Sequence, residues 1–243
     1  PYEGQVHVYC ISMQLPPLEL VRLGHLLSPD ETGRRDSLKS DPAKNRFISS
    51  RGVLREILGS YLGIEPEKVL LETGKHGKPF LADNAGDLNF NLSHAGDLLM
   101  LAITTGHEVG IDIEKIETDK PLNNMARIAF SHREQEELAG LSSLHQRVLA
   151  FYHCWVRKEA CLKASGTGFS LPSNSFDVTP LNQEVKLMTT CCSQACWHVL
   201  DIEVPPDYCA AVAVEIRSSS QPPPVLLRME TDADYRLYRK GCL

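Results

Sequence analysis

The sequence has little of what marks a membrane, secreted or nucleic-acid-binding protein. No apolar run approaches the ~20 residues that a bilayer-spanning helix needs, and no secretory signal is visible. The formal net charge is −6, which is not the basic balance typical of general nucleic-acid binding. We therefore expect no nucleic acid and no membrane among the partners, a cytoplasmic location, and locally grouped lysines and arginines wherever phosphate is bound.

The eight cysteines lack the spacing of a metal site. Cys191, Cys192 and Cys196, with His198 nearby, do not form the paired motifs of a zinc ligand set. In a chain of 243 residues without a visible signal peptide, we expect reduced thiols instead of a disulfide framework. A hydrophobic content of 42% and a charged content of 23% are ordinary for a globular protein.

Hydrophobic periodicity predicts strands and helices in two halves of similar make-up. In the first half we expect a strand over 5–13, a long amphipathic helix over 41–64, and strands near 68–73, 89–92 and 98–104, the last two joined by a turn at residues 93–97. In the second half we expect a strand over 107–116, helical runs over 121–141 and 142–164, and strands over 175–180, 184–190, 196–204 and 208–216.

This order predicts an α+β fold of two pseudo-symmetric subdomains, each with a long helix packed on a mainly antiparallel sheet. We place the N-terminal subdomain at 1–105 and the C-terminal subdomain at 106–218. Residues 219–243, which begin in the stretch SSSQPPP, are expected to be a linker and a polar tail.

Two acids interrupt the apolar strand VGIDIEKI. Side chains alternate faces along a strand, so Asp112 and Glu114 share one face while Ile111 and Ile113 share the other. On the helix that follows, Glu159 falls on the apolar stripe that includes Trp155.

A buried carboxylate needs a partner, and two are available for Glu159. Lys163, one turn further along, would form an ordinary i,i+4 ion pair with it. Alternatively, Glu159 joins Asp112 and Glu114 as a three-carboxylate site for Mg²⁺, whose preferred ligands are oxygens.

Basic and polar residues elsewhere would suit a phosphate ligand. Lys158 and Lys163 beside the acids indicate that the ligand brings negative charge, as a pyrophosphate does. Ser93 and His94 are adjacent in sequence and lack a G-x-S-x-G motif, so phosphate binding suits them better than a hydrolytic triad. Further candidates are Lys75, Lys78, Arg34, Arg35, Arg46 and Arg51.

Five motifs in order resemble the Sfp-type 4′-phosphopantetheinyl transferases: GKHGKP, NFNLSHAG, VGIDIE, FSHRE and FYHCWVRKEACLKASGTGFSLP. The resemblance is strong over residues 74–172. It implies a monomer of two pseudo-symmetric halves, with coenzyme A and Mg²⁺ in the cleft between them. The implied reaction is transfer of the 4′-phosphopantetheine arm of coenzyme A to a serine hydroxyl of an apo acyl or peptidyl carrier protein, releasing 3′,5′-adenosine bisphosphate.

The resemblance also implies roles for individual residues. Asp112, Glu114 and Glu159 are expected to hold Mg²⁺, with Glu159 as metal ligand or as the base for the serine proton. Lys163 and His94 are expected to contact the pyrophosphate, Ser93 and Lys78 the phosphoadenosine end, and Trp155 to set the helix. Further expectations concern Lys158, which reaches either the site or solvent, and Glu134, a further acid near the metal.

The chain departs from the family pattern at Glu31, where family members can carry a lysine soon after the SP pair. Contacts to the 3′-phosphate are therefore expected from Arg34, Arg35 or Arg51.

Two other classes of protein fit part of the pattern: a non-catalytic module that binds coenzyme A or a carrier protein, and a Mg²⁺-dependent phosphohydrolase. The sequence does not choose among the carriers of fatty acid, polyketide and nonribosomal peptide synthesis.

Overall fold

The computed structural model describes residues 1–2, 4–74, 77–82, 87–166, 171–181, 183, 185, 187–192, 195–218, 221–231 and 237–242. Helices in this part of the chain are α1 (Pro17–Gly24), α2 (Pro29–Ser37), α3 (Asp41–Leu62), α4 (Leu122–Ala129), α5 (His132–Ala139) and α6 (Leu144–Ser165). Strands of the first half are β1 (Gln5–Ser12), β2 (Leu71–Thr73), β3 (Pro79–Leu81), β4 (Leu88–Ala95) and β5 (Leu98–Thr105). Those that follow are β6 (Val109–Lys115), β7 (Met188–Cys192), β8 (Ala195–Asp201), β9 (Tyr208–Ile216), β10 (Val225–Thr231) and β11 (Leu237–Cys242).

The strands form two large sheets and one short hairpin. The first sheet has the order β11-β10-β1-β5-β4, and all its pairs are antiparallel except β1 with β10. The second sheet, β6-β9-β8-β7, is antiparallel throughout. The β2–β3 hairpin stands apart from both sheets.

The two sheets share one core, and each carries a 22-residue helix on its other face. Between the sheets, Val8 and Met100 pack with Ile111 and Val212. Apolar residues of α3 pack on the first sheet, and those of α6 pack on the second. The predicted α+β architecture, with a long helix on each mainly antiparallel sheet, is confirmed.

Gly110 allows α6 to approach β6 unusually closely. A Cβ atom at this position would lie 2.1 Å from the carbonyl oxygen of Ala160 and 2.3 Å from the backbone nitrogen of Ala164. Real atoms cannot approach this closely, so the glycine sets the distance between the strand that carries Asp112 and the helix that carries Glu159.

Two predicted elements take another form. The run 121–141 is broken at Phe130 into α4 and α5, because Ser131 starts a new helix in a capping box with Glu134. Residues 176–180 form no strand, because core side chains bind their backbone. Arg157 donates to the carbonyls of Val178 and Pro180, and the Val178 N–H donates to Glu134.

The segment expected to be a linker and tail contributes to the first sheet. Strand β10 pairs in parallel with β1, and β11 pairs with β10. Both faces of β10 are buried: Leu226 lies in the core between the sheets, and Leu227 and Met229 lie in the core under α3. The linker and tail prediction is therefore wrong for 225–231.

Two smaller expectations also change. Ser93 and His94 lie within β4, and the turn is only Gly96 and Asp97. Cys191 and Cys196 face each other across the β7–β8 pair and form a disulfide, so the expectation of reduced thiols is wrong for these two.

No helix among the described residues is long and apolar enough to cross a membrane.

Candidate active site

Asp112 is the centre of a buried polar group where β6, β4 and α6 meet. Its Oδ1 accepts hydrogen bonds from the Ser93 hydroxyl, at 2.8 Å, and from the Lys163 ammonium, at 2.6 Å. The same ammonium donates to the Ser93 oxygen at 2.8 Å. Lys163 therefore pairs with Asp112, 51 residues away in sequence, and the ion pair with Glu159 considered above is not what the structure shows.

Glu114 and Glu159 belong to the same acidic group, because each responds to the charge of Asp112. Burial, followed by the Asp112 charge, raises the pKa of Glu114, and a hydrogen bond from Trp155 partly opposes this rise. Burial and the Asp112 charge likewise raise the pKa of Glu159, and Lys163 opposes this rise. The three acids repel one another, so a bound cation would stabilise the group.

The Oδ2 atom of Asp112 is buried and accepts no hydrogen bond among the described residues. Buried carboxylate oxygens are nearly always paired, so this atom suits an incoming ligand. No cluster of three or more His, Cys, Asp or Glu residues that could hold a metal ion occurs in the described ranges. Mg²⁺ typically takes only one or two protein carboxylates, together with water and substrate phosphates, and the Asp112 oxygen fits that requirement.

Lys158 does not join this group, which corrects the expectation that it contacts the ligand. Its ammonium is buried and bonds to Glu134 at 2.8 Å and to the carbonyls of Ser173 and Phe176, each at 2.6 Å. These three acceptors use all three of its N–H donors. Glu134 is also fully buried, where it pairs with Lys158, caps α5 and accepts from Val178, so it is a structural acid.

Lys78 lines a cavity of about 300 Å³ at the C-terminal end of α6. Gly74, Phe80, Phe90 and Gly166 are among its other walls. The Lys78 ammonium pairs with Glu108 at 3.2 Å, at the start of the strand that carries the acids. The cavity therefore lies at the N-terminal end of the strand that carries the acids.

The remaining predicted phosphate ligands are dispersed. His94 is exposed, and the hydroxyl of its neighbour Ser93 donates a hydrogen bond to Asp112. Arg34 and Arg51 both approach the Phe47 ring, at 5.9 Å from its centroid. Burial lowers the pKa of Arg51, and Arg34 lowers it further. Arg35 pairs with Asp36, and Lys75 lies outside the described residues.

Sequence reasoning missed two residues that build the site. The buried Asn91 accepts a hydrogen bond from the backbone N–H of Ile111 at 2.9 Å, which ties β4 to the open edge of β6 and brings Ser93 to Asp112. Arg157 forms a two-pronged pair with Asp201 at 2.8 and 2.6 Å, which anchors α6 to the second sheet. The buried asparagine in NFNLSHAG and the arginine beside Lys158 carry no periodic signal that reveals these roles.

Two sheets joined face to face, each with a long helix, and a group of acids and a lysine where they meet, define the phosphopantetheinyl transferase class of fold. Residues 108–213 match the family model described as the 4′-phosphopantetheinyl transferase superfamily. Residues 19–106 match the model described as 4′-phosphopantetheinyl transferase, N-terminal.

Curated relatives agree with these models. The 4′-phosphopantetheinyl transferase HetI of Nostoc sp. is 37% identical over 214 residues, which cover 86% of this chain and 87% of the relative. The 4′-phosphopantetheinyl transferase Sfp of Bacillus subtilis is 32% identical, covering 70% of this chain and 75% of the relative. The human L-aminoadipate-semialdehyde dehydrogenase-phosphopantetheinyl transferase is 30% identical over 65% of this chain and 55% of its own length. The chain belongs to the 4′-phosphopantetheinyl transferase family.

Proposed function

We propose that this protein transfers the 4′-phosphopantetheine arm of coenzyme A to a serine hydroxyl of an apo carrier protein. The serine oxygen forms a bond to the β-phosphorus, and the bond from that phosphorus to the bridging oxygen breaks. The leaving group is 3′,5′-adenosine bisphosphate. The observation that carries the proposal is the group of Asp112, Glu159 and Lys163 in a chain of this family, with a cavity that Lys78 lines at the N-terminal end of the strand that carries Asp112.

The chain's own residues would position the pyrophosphate. Lys163 is held by Asp112 and Ser93, and its side chain remains partly exposed, so it can also meet a phosphate oxygen. Lys78 and its cavity would receive the nucleotide end, and the exposed His94 would meet the pyrophosphate. Arg34 and Arg51, which converge on Phe47, are better placed to share the 3′-phosphate than Arg35, which is paired with Asp36.

Glu159 is the proposed acceptor of the serine proton. Without metal, burial and the Asp112 charge raise the pKa of Glu159, so its carboxylate binds a proton more readily than an exposed glutamate does. Asp112, through its unpaired Oδ2 atom, and one of its two neighbouring glutamates, Glu114 or Glu159, would hold Mg²⁺. Bound there, the cation would neutralise charge on the pyrophosphate oxygens.

The test is the intact mass of an apo carrier protein after incubation with the chain, coenzyme A and Mg²⁺. We expect a gain of one phosphopantetheinyl arm, and its loss with Asp112→Ala and with Glu159→Ala. Glu203→Ala, at an exposed acid, is the matched control and should remain active. Coenzyme A binding without transfer to any of several unrelated carriers would favour the non-catalytic module.

We further propose a cytoplasmic monomer that serves fatty acid, polyketide or nonribosomal peptide carriers. The family resemblance supports each point, and the order of strands and helices supports the proposed subdomain boundary near residue 106. Light scattering tests the oligomeric state, and a panel of the three carrier types in the mass assay tests the acceptor.

A further inference from the structure

The end strands of the two large sheets meet beside the acids, where a buried side chain bonds one strand to the other. Strand β4 ends the first sheet, and strand β6 ends the second. The backbone N–H of Ile111 on β6 donates to Oδ1 of Asn91 on β4 at 2.9 Å. Asn91 is 4% exposed and Ile111 is fully buried. A buried N–H without an acceptor is costly, so this bond holds the two end strands together at one point.

That point lies directly beside Asp112. Ile111 precedes Asp112 on β6, and Asn91 shares a face of β4 with Ser93, because side chains two residues apart on a strand point the same way. The Ser93 hydroxyl donates to Oδ1 of Asp112 at 2.8 Å. The two strands are therefore joined twice in succession, first from Asn91 to the backbone of β6 and then from Ser93 to the carboxylate.

The second of these contacts decides which oxygen of Asp112 is left for a ligand. Oδ1 accepts from Ser93 and also from the Lys163 ammonium, at 2.6 Å, and that ammonium donates to the Ser93 oxygen at 2.8 Å. With Oδ1 held by two donors, Oδ2 is the oxygen left for a cation. It is buried and accepts no hydrogen bond from the described residues.

We propose that Asn91 is a positioning residue for the transfer reaction: by holding β4 against β6, it keeps Ser93 on Asp112 and the carboxylate in the orientation that binds Mg²⁺. This inference rests on the proposed function. Asn91 bonds the backbone of β6 and not the carboxylate, so it acts through Ser93. Residues that orient a metal ligand in this way typically contribute about 10–100-fold to metal affinity or activity.

The test measures Mg²⁺ binding by calorimetry, without coenzyme A or carrier, on the wild type and on Asn91→Leu. Leucine is close in size to asparagine but offers no acceptor to the Ile111 N–H. The matched control is Thr104→Val on the neighbouring strand β5. Thr104 is 1% exposed, and its hydroxyl donates to the carbonyl of Gln5 on β1 at 3.0 Å. The control therefore removes a buried hydrogen bond and leaves the bond between β4 and β6 in place.

We expect Asn91→Leu to bind Mg²⁺ about 10–100-fold more weakly and to lower kcat of the transfer by a similar factor. Thr104→Val should keep both quantities within about twofold of the wild type, whatever its melting temperature. Hydrogen exchange measured by NMR supplies a structural readout. The Ile111 amide should exchange at least about tenfold faster in Asn91→Leu than in Thr104→Val, because only the first variant removes its acceptor.

Ser93→Ala tests whether Asn91 acts through Ser93, and it also tests the inference if Asn91→Leu folds poorly. This variant should weaken Mg²⁺ binding by about 10–100-fold while the Ile111 amide stays protected. The double variant should bind Mg²⁺ no more weakly than Ser93→Ala alone, because both changes break the same series of contacts.

An Mg²⁺ affinity of Asn91→Leu equal to that of Thr104→Val would overturn the inference, because Asn91 would then be only structural. An affinity unchanged by Ser93→Ala, or losses that add in the double variant, would overturn it as well. So would a wild type that binds no Mg²⁺. A wild type that binds Mg²⁺ but modifies no carrier would refute the proposed function instead, and the Mg²⁺ affinities would still decide whether Asn91 orients Asp112.

Discussion

Replacing Lys158 by methionine tests whether this lysine is structural, as its contacts indicate, or a ligand contact, as its neighbourhood in sequence suggests. The Lys158–Glu134 pair is 2.8 Å long, and the two side chains are 2% and 0% exposed. Removing one partner of a buried pair leaves an uncompensated charge and typically costs about 3–5 kcal/mol. We therefore expect Lys158→Met and Glu134→Gln each to lower the free energy of unfolding by about this amount.

The melting temperature gives the same expectation in another form. A chain of this size loses about 2–4 °C per kcal/mol, so each variant should melt roughly 6–20 °C below the wild type. The double variant removes both charges, so it should lose less than the sum of the single losses, by on the order of 2 kcal/mol. Arg217→Met, which breaks the more exposed pair with Glu215, should change stability by about 1 kcal/mol or less.

Urea unfolding and coenzyme A binding, measured below the melting temperatures, decide between the two roles. The structure predicts a large loss of stability and an affinity within about twofold of the wild type. A loss below about 1 kcal/mol combined with an affinity at least about tenfold weaker would refute the reasoning, because Lys158 would then act on the ligand.

Three further predictions concern the acids and their support. Glu159→Gln should lower the rate of transfer by about 10²–10⁴-fold, because removal of a general base has an effect of this size. The rate is measured in a single-turnover assay with saturating carrier protein. If the variant keeps more than a tenth of the wild-type rate, Glu159 is not the base. Without metal, the pKa values of Glu114 and Glu159 are raised, so the folded state binds protons more tightly than the unfolded state does. The contribution of these protons to the stability of the fold is therefore fully present below pH 4.5, and it is lost as the pH rises through the raised pKa values. Urea unfolding across this pH range should show a smaller loss of stability for Glu159→Gln than for the wild type, and Mg²⁺ should restore the stability that the wild type loses. Identical pH profiles of stability for the variant and the wild type would contradict the coupling of the acids. Gly110→Ala should destabilise the fold by at least about 1–3 kcal/mol, because the new Cβ atom overlaps the backbone of α6. The same variant should bind Mg²⁺ more weakly, as measured by calorimetry. An unaltered melting temperature would disprove the close approach of β6 and α6.

Local patterns were enough to predict most of the fold. The long helices over 41–64 and 142–164 and the strand over 208–216 were predicted within two residues of α3, α6 and β9, because their apolar residues recur with the period of the element. The strand β10 was missed because Pro-rich and Ser-rich residues precede it and its partner β1 is more than 200 residues away in sequence.

The sequence by itself determined that Asp112 and Glu114 share a face of a strand, that Glu159 lies on an apolar stripe, and which family the motifs resemble. These are local properties, since side-chain direction follows from the backbone period. Only the tertiary structure decided the partners: Lys163 reaches Ser93, which is 70 residues away in sequence, whereas Lys158 pairs with Glu134 on α5. A period shows that a face is buried, but the group that meets a charge there depends on which element packs across it.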